Sequence, residues 1–454
     1  MKPFSILAIA AATLFMSGCD SSSSTPRVAP PPEFSSLQVL HASPDAPAVN
    51  VLVDGTEQVS GADYKAASGL IALESGTYSI QVDGILPSGS AAVIGPVDLT
   101  FDPDTLYTIA AVNNVASIEP VVISQPIEPV SAGSARLFVL HATAGPGGSL
   151  PVDVYVTAPG ADLTATAPTG TFDFKETLGP LEVAAADYQV RVTLAGDPMA
   201  VAYDSGTITL NDGDDLRLAA VPNTSGGPAA VTLVAVGSGG ASDILDVQTP
   251  TALRVGHLSP DTGQVDVLVD GAEYLADVPY PAVTGFDPLP AATYNVAVTA
   301  ANNPGVVPIG PVDLTLSAGT WYSVLAVNFF NDIEALILDD DPRPVATNAK
   351  VRIVHAAPSE AAASVDIYVT AVGADINNET PTLTDIPFLA NTGYLALDEG
   401  DYDVTVTVAG TKTAAIGPAT ISIANGGVYT AIARDPEPGS MEFGLIVLAD
   451  TLND

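Results

Sequence analysis

Short stretches of alternating apolar and polar residues, separated by turn residues, follow one another along almost the whole chain. After Leu37 this alternation predicts about seven strands within roughly 100 residues. They are Leu37–His41, Val49–Asp54, Ala67–Leu73, Thr77–Val82, Ala92–Leu99, Leu106–Val112 and Ile118–Ile123. The dipeptides Asp54-Gly55, Ser75-Gly76 and Asp83-Gly84 predict turns between them. No later stretch has a sustained helical period, so the pattern predicts an all-β fold made of immunoglobulin-like sandwiches.

The strand that ends at His41 occurs four times. Equivalent strands end at His141, His257 and His355, and these four are all the histidines in the sequence. Self-similarity at a long fixed period indicates tandem domains. We therefore predict four β-sandwich repeats, at residues 37–124, 135–236, 252–338 and 349–454.

The repeats are alike in alternate pairs. Repeats 1 and 3 share Val-Leu-Val-Asp-Gly and Ile-Gly-Pro-Val-Asp-Leu, whereas repeats 2 and 4 share Val-Asp-(Val/Ile)-Tyr-Val-Thr-Ala. The order is therefore A-B-A′-B′, in an elongated array of two similar units. The segment Gly237-Ser238-Gly239-Gly240 predicts a flexible joint between the units, and the proline-bearing junctions near residues 125–129 and 339–344 are expected to be stiffer.

A tyrosine also recurs at the start of one strand in each repeat. The four are Tyr78, Tyr188, Tyr294 and Tyr402. We interpret them as core residues whose hydroxyl groups bond to backbone, much as in a tyrosine corner. The alternative is an aromatic platform for a ligand.

The charge of the chain is strongly negative. Thirteen Lys+Arg stand against 52 Asp+Glu, which gives −39. This excludes the basic patch that nucleic-acid binding needs and disfavours a polybasic contact with anionic lipid. We interpret the charge as a means of solubility. The alternative is divalent-cation binding, but the acidic segments at 211–215 and 339–341 lack the spacing of an EF-hand. No cofactor is predicted, with weak calcium binding at the repeat junctions left open.

The amino terminus has the features of an export signal. Residues 1–18 combine a basic start with an apolar run too short to span a bilayer. Met16-Ser17-Gly18-Cys19 resembles the lipobox of bacterial lipoproteins, which implies lipidation of Cys19. Residues 19–36 then form a Ser/Pro-rich tether. The expected location is the cell envelope, lipid-anchored and extracytoplasmic. An outer membrane or cell surface is favoured, although Asp20 resembles an inner-membrane retention signal.

Three sequence features carry a family resemblance. The run His41-Ala-Ser-Pro-Asp-Ala-Pro-Ala-Val49, the Val-Asp-Gly at Val53 and the Gly-Thr-Tyr at Gly76 resemble an extracytoplasmic bacterial family, the domain of unknown function DUF4397. The resemblance covers essentially everything after the tether and is weakest in repeat 2. The family has no established activity, so the resemblance implies fold and location only.

A histidine followed by an aspartate is the one constellation that suggests chemistry. The pairs are His141 with Asp153, His257 with Asp266 and His355 with Asp366, whereas repeat 1 has Asn50 in place of the acid. Such pairs can serve as general bases or metal ligands. Strand alternation, however, places the histidines toward the core and Asp366 toward solvent. We therefore predict that each histidine bonds the backbone of the loop after it, and that the protein is not an enzyme.

Three functions follow in order of preference. The first is a spacer or interaction module, used in adhesion or envelope organisation, with the membrane and an envelope protein or glycan as partners. The second is glycan binding through exposed aromatic side chains such as Trp321 or Tyr274. The third is hydrolysis near the histidines.

Overall fold

A computed structural model describes residues 32–144 and 151–450. Repeat 1 is a sandwich of two four-stranded sheets, ordered β4-β1-β7-β8 and β3-β2-β5-β6. Its strands are β1 Phe34–His41, β2 Val49–Val53, β3 Thr56–Ala62, β4 Ile71–Glu74, β5 Gly76–Leu86, β6 Gly89–Phe101, β7 Thr105–Val112 and β8 Glu119–Pro126. The predicted sandwich class is confirmed.

Repeat 2 has the same plan with one additional strand. Its sheets are ordered β12-β9-β15-β16-β17 and β11-β10-β13-β14. The strands are β9 Ser134–His141, β10 Val152–Thr157, β11 Gly170–Phe172, β12 Thr177–Ala184, β13 Ala186–Leu194, β14 Asp197–Leu210, β15 Asp215–Pro222, β16 Val231–Gly237 and β17 Gly240–Ile244.

Repeats 3 and 4 return to eight strands each. Their sheets are β21-β18-β24-β25 with β20-β19-β22-β23, and β29-β26-β32-β33 with β28-β27-β30-β31. Repeat 3 contains β18 Thr251–His257, β19 Val265–Val269, β20 Ala272–Val278, β21 Asp287–Leu289, β22 Ala292–Ala300, β23 Ile309–Leu316, β24 Trp321–Val327 and β25 Glu334–Asp340. Repeat 4 contains β26 Ala349–His355, β27 Ser364–Ala371, β28 Leu383–Pro387, β29 Asn391–Leu397, β30 Gly400–Val408, β31 Ala414–Ile423, β32 Val428–Arg434 and β33 Gly444–Ala449.

The helical content of the described residues is limited to five single turns of 3₁₀ helix. They are Val115–Ser117, Leu163–Ala165, Phe330–Asp332, Glu360–Ala362 and Ile376–Asn378.

Strand β3 was not predicted. Its residues are mostly exposed because it lies at the edge of its sheet, so it lacks the apolar alternation that marks a half-buried strand. The turn before it was predicted: Asp54 and Gly55 both have positive φ, as a two-residue hairpin turn of type I′ requires. The turn predicted at Asp83-Gly84 is wrong, because both residues lie inside the long strand β5.

The joint predicted at Gly237–Gly240 is also wrong. These residues form the tight turn between β16 and β17, where Gly237 pairs with Gly240 inside one sheet of repeat 2. Turn residues serve a hairpin as well as a linker, and only the pairing of the strands around them separates the two uses. Contacts also connect the two units here, since Trp321 Nε1 of repeat 3 donates to the Ser225 carbonyl of repeat 2 at 3.3 Å.

The shared Ile-Gly-Pro motif makes a bulge in the outer strand of repeats 1 and 3. Gly95 and Gly310 have φ of +80° and +83°, and the pairing register shifts at this point in both repeats. A Cβ atom at Gly310 would lie 2.5 Å from the Val296 carbonyl oxygen. Only glycine fits there, and the Ile-Gly-Pro motif of repeat 4 makes the same bulge at Gly417, whose φ is +85°, so the motif follows the bulge rather than the A-type repeats.

In each repeat we call the sheet that contains the histidine-terminated strand the inner sheet. The histidine-terminated strand pairs in parallel with a strand from the second half of its repeat. The pairs are β1 with β7, β9 with β15, β18 with β24, and β26 with β32. Every residue of β1 from Leu37 to His41 is buried. In a single sandwich, by contrast, the outer face of each sheet is commonly exposed to solvent. Both faces of the inner sheet are therefore covered.

Candidate functional site

The inner sheets of repeats 1 and 2 pack against each other. Leu37 and Val39 face the core of their own sandwich, while Leu40 belongs to a buried cluster shared with Phe138 and Val234 of repeat 2. Repeats 3 and 4 share an equivalent cluster, which includes Leu258, Leu325, Val354 and Ile432. The A and B repeats of each unit therefore form one packed pair.

A tyrosine of each A-type repeat crosses this interface. Tyr64 donates its hydroxyl to the carbonyl of Pro222 at 2.5 Å, and Tyr280 donates to the carbonyl of Asp435 at 2.6 Å. Each ring also stands edge-on to the histidine of its own repeat, with centroids 6.2 Å apart. The recurrent histidines therefore pack beside the residues that join the repeats.

Between repeats 3 and 4 the interface contains four buried charged residues, which we call the ion quartet: Arg254, Asp340, Arg352 and Asp450. Arg254 Nη1 donates to Asp450 Oδ1 at 2.6 Å, and Arg352 Nη2 donates to Asp340 Oδ1. The arginine side chains are 2% exposed and the aspartates 0%. Each repeat contributes one cation and one anion, so the charges cancel across the interface.

Neutral side chains complete the hydrogen bonding of the ion quartet. Ser323 donates to Asp340 at 2.7 Å, and Tyr394 and Thr430 donate to Asp450 at 2.6 and 2.5 Å. Burial raises the pKa of Asp340 against the opposing effect of its two arginine partners, and burial raises the pKa of Tyr394, which keeps that phenol a donor. The cluster is filled and satisfied, so it is suited to holding two repeats together.

The equivalent place between repeats 1 and 2 is different. By strand register, Gln38, Thr108 and Gln125 replace Arg254, Ser323 and Asp340, while Phe138 and Arg217 replace Arg352 and Thr430. In place of an ion quartet there is an open cleft of 410 Å³. We call it the Arg217 cleft, and it is the candidate functional site.

The charged centre of the Arg217 cleft is Asp215. It accepts from Arg136 Nη2 at 2.6 Å and Gln125 Nε2 at 3.2 Å, and Arg217 Nη2 lies 3.4 Å away. Burial raises the pKa of Asp215, but the bond from Arg136 and the two guanidinium charges outweigh burial and leave that pKa below its usual range. Burial lowers the pKa of Arg217. The carboxylate is therefore held ionised between two repeats.

Several polar atoms beside the cleft have no partner among the described residues. They are Oε1 of Gln38, Oε1 of Gln125 and Nε of Arg217. A buried polar atom without a partner costs about 1–3 kcal/mol, so such atoms normally bond water or a ligand. The site can therefore bind polar groups, but it presents no nucleophile paired with a base. Within the described residues no group of three or more His, Cys, Asp or Glu side chains could hold a metal ion.

Three predicted site histidines bond the loop that follows them. Nε2 lies 3.0 Å from the Pro47 carbonyl for His41, 2.6 Å from Gly263 for His257 and 2.7 Å from Ala362 for His355. Burial lowers the pKa of each ring, and of His141 as well. A carbonyl can only accept, so Nε2 donates, which suits a neutral imidazole. The loop at 145–150 after His141 lies outside the described residues.

The aspartates named with these histidines have other partners. Asp366 is 5% exposed and accepts from the backbone amides of Asp385 at 3.0 Å and Gly410 at 2.8 Å. Asp153 accepts from the Gly196 amide at 2.8 Å. The expectation that Asp366 faces solvent is wrong, because the irregular edge strand β28 and the turn after β30 supply amide donors to the outer face of its strand. In repeat 3, Asp266 accepts from the Asp277 amide at 2.8 Å.

All four recurrent tyrosines make one local contact. Each hydroxyl donates to the carbonyl four residues earlier, at distances of 2.6–3.0 Å. The pairs are Tyr78 with Glu74, Tyr188 with Ala184, Tyr294 with Pro290 and Tyr402 with Asp398. The hydroxyl fixes the turn before the strand, so these rings are not free platforms.

The remaining named positions are accounted for as follows. Trp321 was expected to be exposed and is 4% exposed, packed on Phe286. Tyr274 is half-buried and donates to Asp287 at 2.7 Å. Asp341 of the acidic junction pairs with Lys350 at 2.6 Å. Cys19 lies outside the described residues.

Sequence reasoning missed the cations at the interfaces. Arg254 and Arg352 each stand three residues before a recurrent histidine, inside an apolar strand. The chain has only 13 cations, and an arginine is rarely buried without a partner. An arginine inside an apolar strand was therefore a signal of a buried ion pair.

Comparisons with known proteins give one family and a distant structural likeness. The sequence profile of the domain of unknown function DUF4397 matches residues 35–155, 251–368 and 359–454, which is more than half of the chain. Among solved structures, the Bacillus anthracis TIE protein is 13% identical over 88% of this chain and 68% of its own, with a TM-score of 0.16. No curated protein matches. Within residues 32–144 and 151–450 no helix is long and apolar enough to cross a bilayer.

Proposed function

Because the chain belongs to the DUF4397 family, whose function is unknown, we propose a function from its own residues. It is a lipid-anchored protein of the cell envelope in which paired sandwiches form a stiff acidic spacer and interaction module. The observation that carries this proposal is the ion quartet, which joins repeats 3 and 4 through buried groups whose hydrogen bonds are made within the interface.

The use of positive charge supports a spacer. Six of the 13 cations pair with an acid across a boundary between repeats or with a junction residue. They are Lys65 with Asp243, Lys175 with Glu119, Arg254 with Asp450, Arg343 with Asp63, Lys350 with Asp341, and Arg352 with Asp340. The other acids repel one another and polyanions, which keeps such a module soluble and extended from a surface.

The two units are also joined. Arg343, between repeats 3 and 4, donates from Nη1 to the Ala46 carbonyl of repeat 1 at 3.0 Å. The amide of Ala346 donates to the Asp45 carbonyl at 2.8 Å. Backbone contacts of this kind restrict movement between units, as a spacer requires. The Arg217 cleft would then supply the interaction surface.

Membrane attachment is tested by labelling cells with a fatty-acid analogue and comparing the wild type with Cys19→Ser. We expect the wild type to be labelled and membrane-bound, whereas the variant is unlabelled and released. An unlabelled wild type in the soluble fraction would remove the anchor from the proposal.

A pull-down from native envelopes tests the interaction role, with Arg217→Gln as the matched variant. A partner retained equally by both proteins would exclude the Arg217 cleft as its binding site.

A further inference from the structure

The sandwich of repeat 3 contains an apolar cavity. It lies between the two sheets, has a volume of 110 Å³ and includes His257 in its lining. Its walls include Val255, Val267, Val296 and Val324. The equivalent space in repeat 1 measures 30 Å³. The two A-type repeats therefore differ in the same part of the fold.

Three positions explain the difference. Strand register aligns Ile80 with Val296, Ile109 with Val324, and Pro120 with Ala335. Each change makes the repeat 3 side chain smaller. Interiors are close-packed, so methyl groups removed without replacement leave a void.

The cavity opens toward solvent between edge strands β23 and β25. Two aliphatic residues of its wall stand at this opening: Val312 is 52% exposed and Ile337 is 47% exposed. Asp313 follows Val312 in the strand but points to the outer face of the sheet, where it pairs with Asn295 and accepts from Asn295 Nδ2 at 2.9 Å. The opening thus has an apolar rim, and the nearest carboxylate lies on the outer face of the same strand.

We propose that this cavity binds the end of an aliphatic chain from an amphiphile whose head group is not anionic. The inner wall is built of aliphatic side chains, and an engineered cavity of about 150 Å³ with such a wall takes up benzene or xenon. The repeat 3 cavity, at 110 Å³, is smaller than that engineered cavity, so we expect it to take up only the end of an aliphatic chain. Asp313 and the net charge of −39 disfavour a carboxylate or phosphate head at the opening. This site is separate from the Arg217 cleft and does not depend on the spacer role.

The test titrates the full chain with 1-hexanol, hexyltrimethylammonium and hexanoate, followed by methyl NMR. We expect hexanol and hexyltrimethylammonium to shift the methyl signals of Val296 and Val324, and hexanoate to bind at least about tenfold more weakly. In the variant Val296→Ile with Val324→Ile, which restores the repeat 1 residues, we expect hexanol affinity to fall by about tenfold or more.

Repeat 1 provides the matched control within the same chain. Ile80→Val with Ile109→Val should create a second site for hexanol there. A melting curve shows whether each variant is folded. The proposal is overturned if the filled variant binds hexanol as the wild type does, if hexanoate binds best, or if xenon enters while no hexyl compound binds. That last outcome would identify the cavity as a packing defect only.

Discussion

The interface between repeats 1 and 2 and the interface between repeats 3 and 4, which we call the two joints, have the same apolar and aromatic contacts but different polar residues. Both have a shared apolar cluster and a tyrosine that donates to the partner repeat. Between repeats 3 and 4 the ion quartet fills the remaining space, whereas between repeats 1 and 2 two of the equivalent positions, Gln125 and Arg217, line an open cleft. The apolar and aromatic contacts are therefore common to both joints, whereas the polar contacts differ: between repeats 1 and 2 they include Gln125 with Asp215 and Lys65 with Asp243.

The ion quartet also specifies which repeats pair. Burying charges gains little stability in itself, because desolvation offsets most of their attraction. If repeat 4 packed on repeat 1, however, Arg352 and Asp450 would face Gln38 and Gln125 and would lose their charged partners. Uncompensated buried charge is costly, so the quartet rejects the wrong pairing among four similar domains.

The largest predicted effect comes from breaking the quartet. Asp340→Ala leaves two buried arginines short of an anion and should lower the free energy of unfolding by about 3–5 kcal/mol. Gln125→Ala, at the equivalent position of the open joint, should cost about 1 kcal/mol, because Asp215 loses one neutral donor but keeps Arg136 and Arg217 beside it. Chemical denaturation of both variants measures the difference. Equal losses would contradict the distinction between the two joints.

How much of this the sequence predicts depends on whether a feature is local. The sandwiches and the tyrosine-bearing strands have periodic apolar patterns, and the pattern alone predicted them. Edge strand β3 has no buried face, so periodicity missed it. The ion quartet joins Arg254 to Asp450, which are 196 residues apart, and no local pattern indicates such a pair.

The packing of the inner sheets of neighbouring repeats against each other was not predicted from the sequence either. Strand β9 is apolar on both faces, because Phe138 and Leu140 alternate with other apolar residues. A single sandwich does not need this, and it was a sequence sign that a second sheet would cover the strand. The exposure expected for Trp321 was wrong for a related reason. Its partner Phe286 lies before β21, and its other partner Ser225 lies in a loop of repeat 2.

The cavity gives a second, smaller contrast between the units. Val296→Ile with Val324→Ile fills space in repeat 3 and should raise the free energy of unfolding by about 1–2 kcal/mol. Ile80→Val with Ile109→Val empties space in repeat 1 and should lower it by about 1–3 kcal/mol. Thermal melts of the two variants measure both shifts. A loss of stability in the filled variant would mean that the cavity cannot accept the added methyl groups.

The buried histidines predict a dependence on pH. Burial lowers the pKa of His257 from 6.5, so the unfolded chain takes up its proton first as the pH falls. The stability that this neutral ring contributes is therefore complete above pH 6.5 and is lost below it, toward the lowered folded pKa, by at most about 1.4 kcal/mol per pH unit. His257→Gln should reduce the slope of unfolding free energy between pH 6.5 and 5.5. An unchanged slope would show that the pKa of this ring is the same in the folded and the unfolded protein.

The smallest effect is expected at an exposed ion pair of the open joint. Lys175 Nζ lies 3.0 Å from Glu119 Oε1, and the two side chains are 42% and 40% exposed. Water and salt screen such a pair, so Lys175→Ala should change the free energy of unfolding by less than about 0.5 kcal/mol, and less still at high salt. Urea titrations at low and high ionic strength measure this. A loss comparable to that of Asp340→Ala would mean that bridging two repeats, and not burial, decides how much an ion pair stabilises the protein.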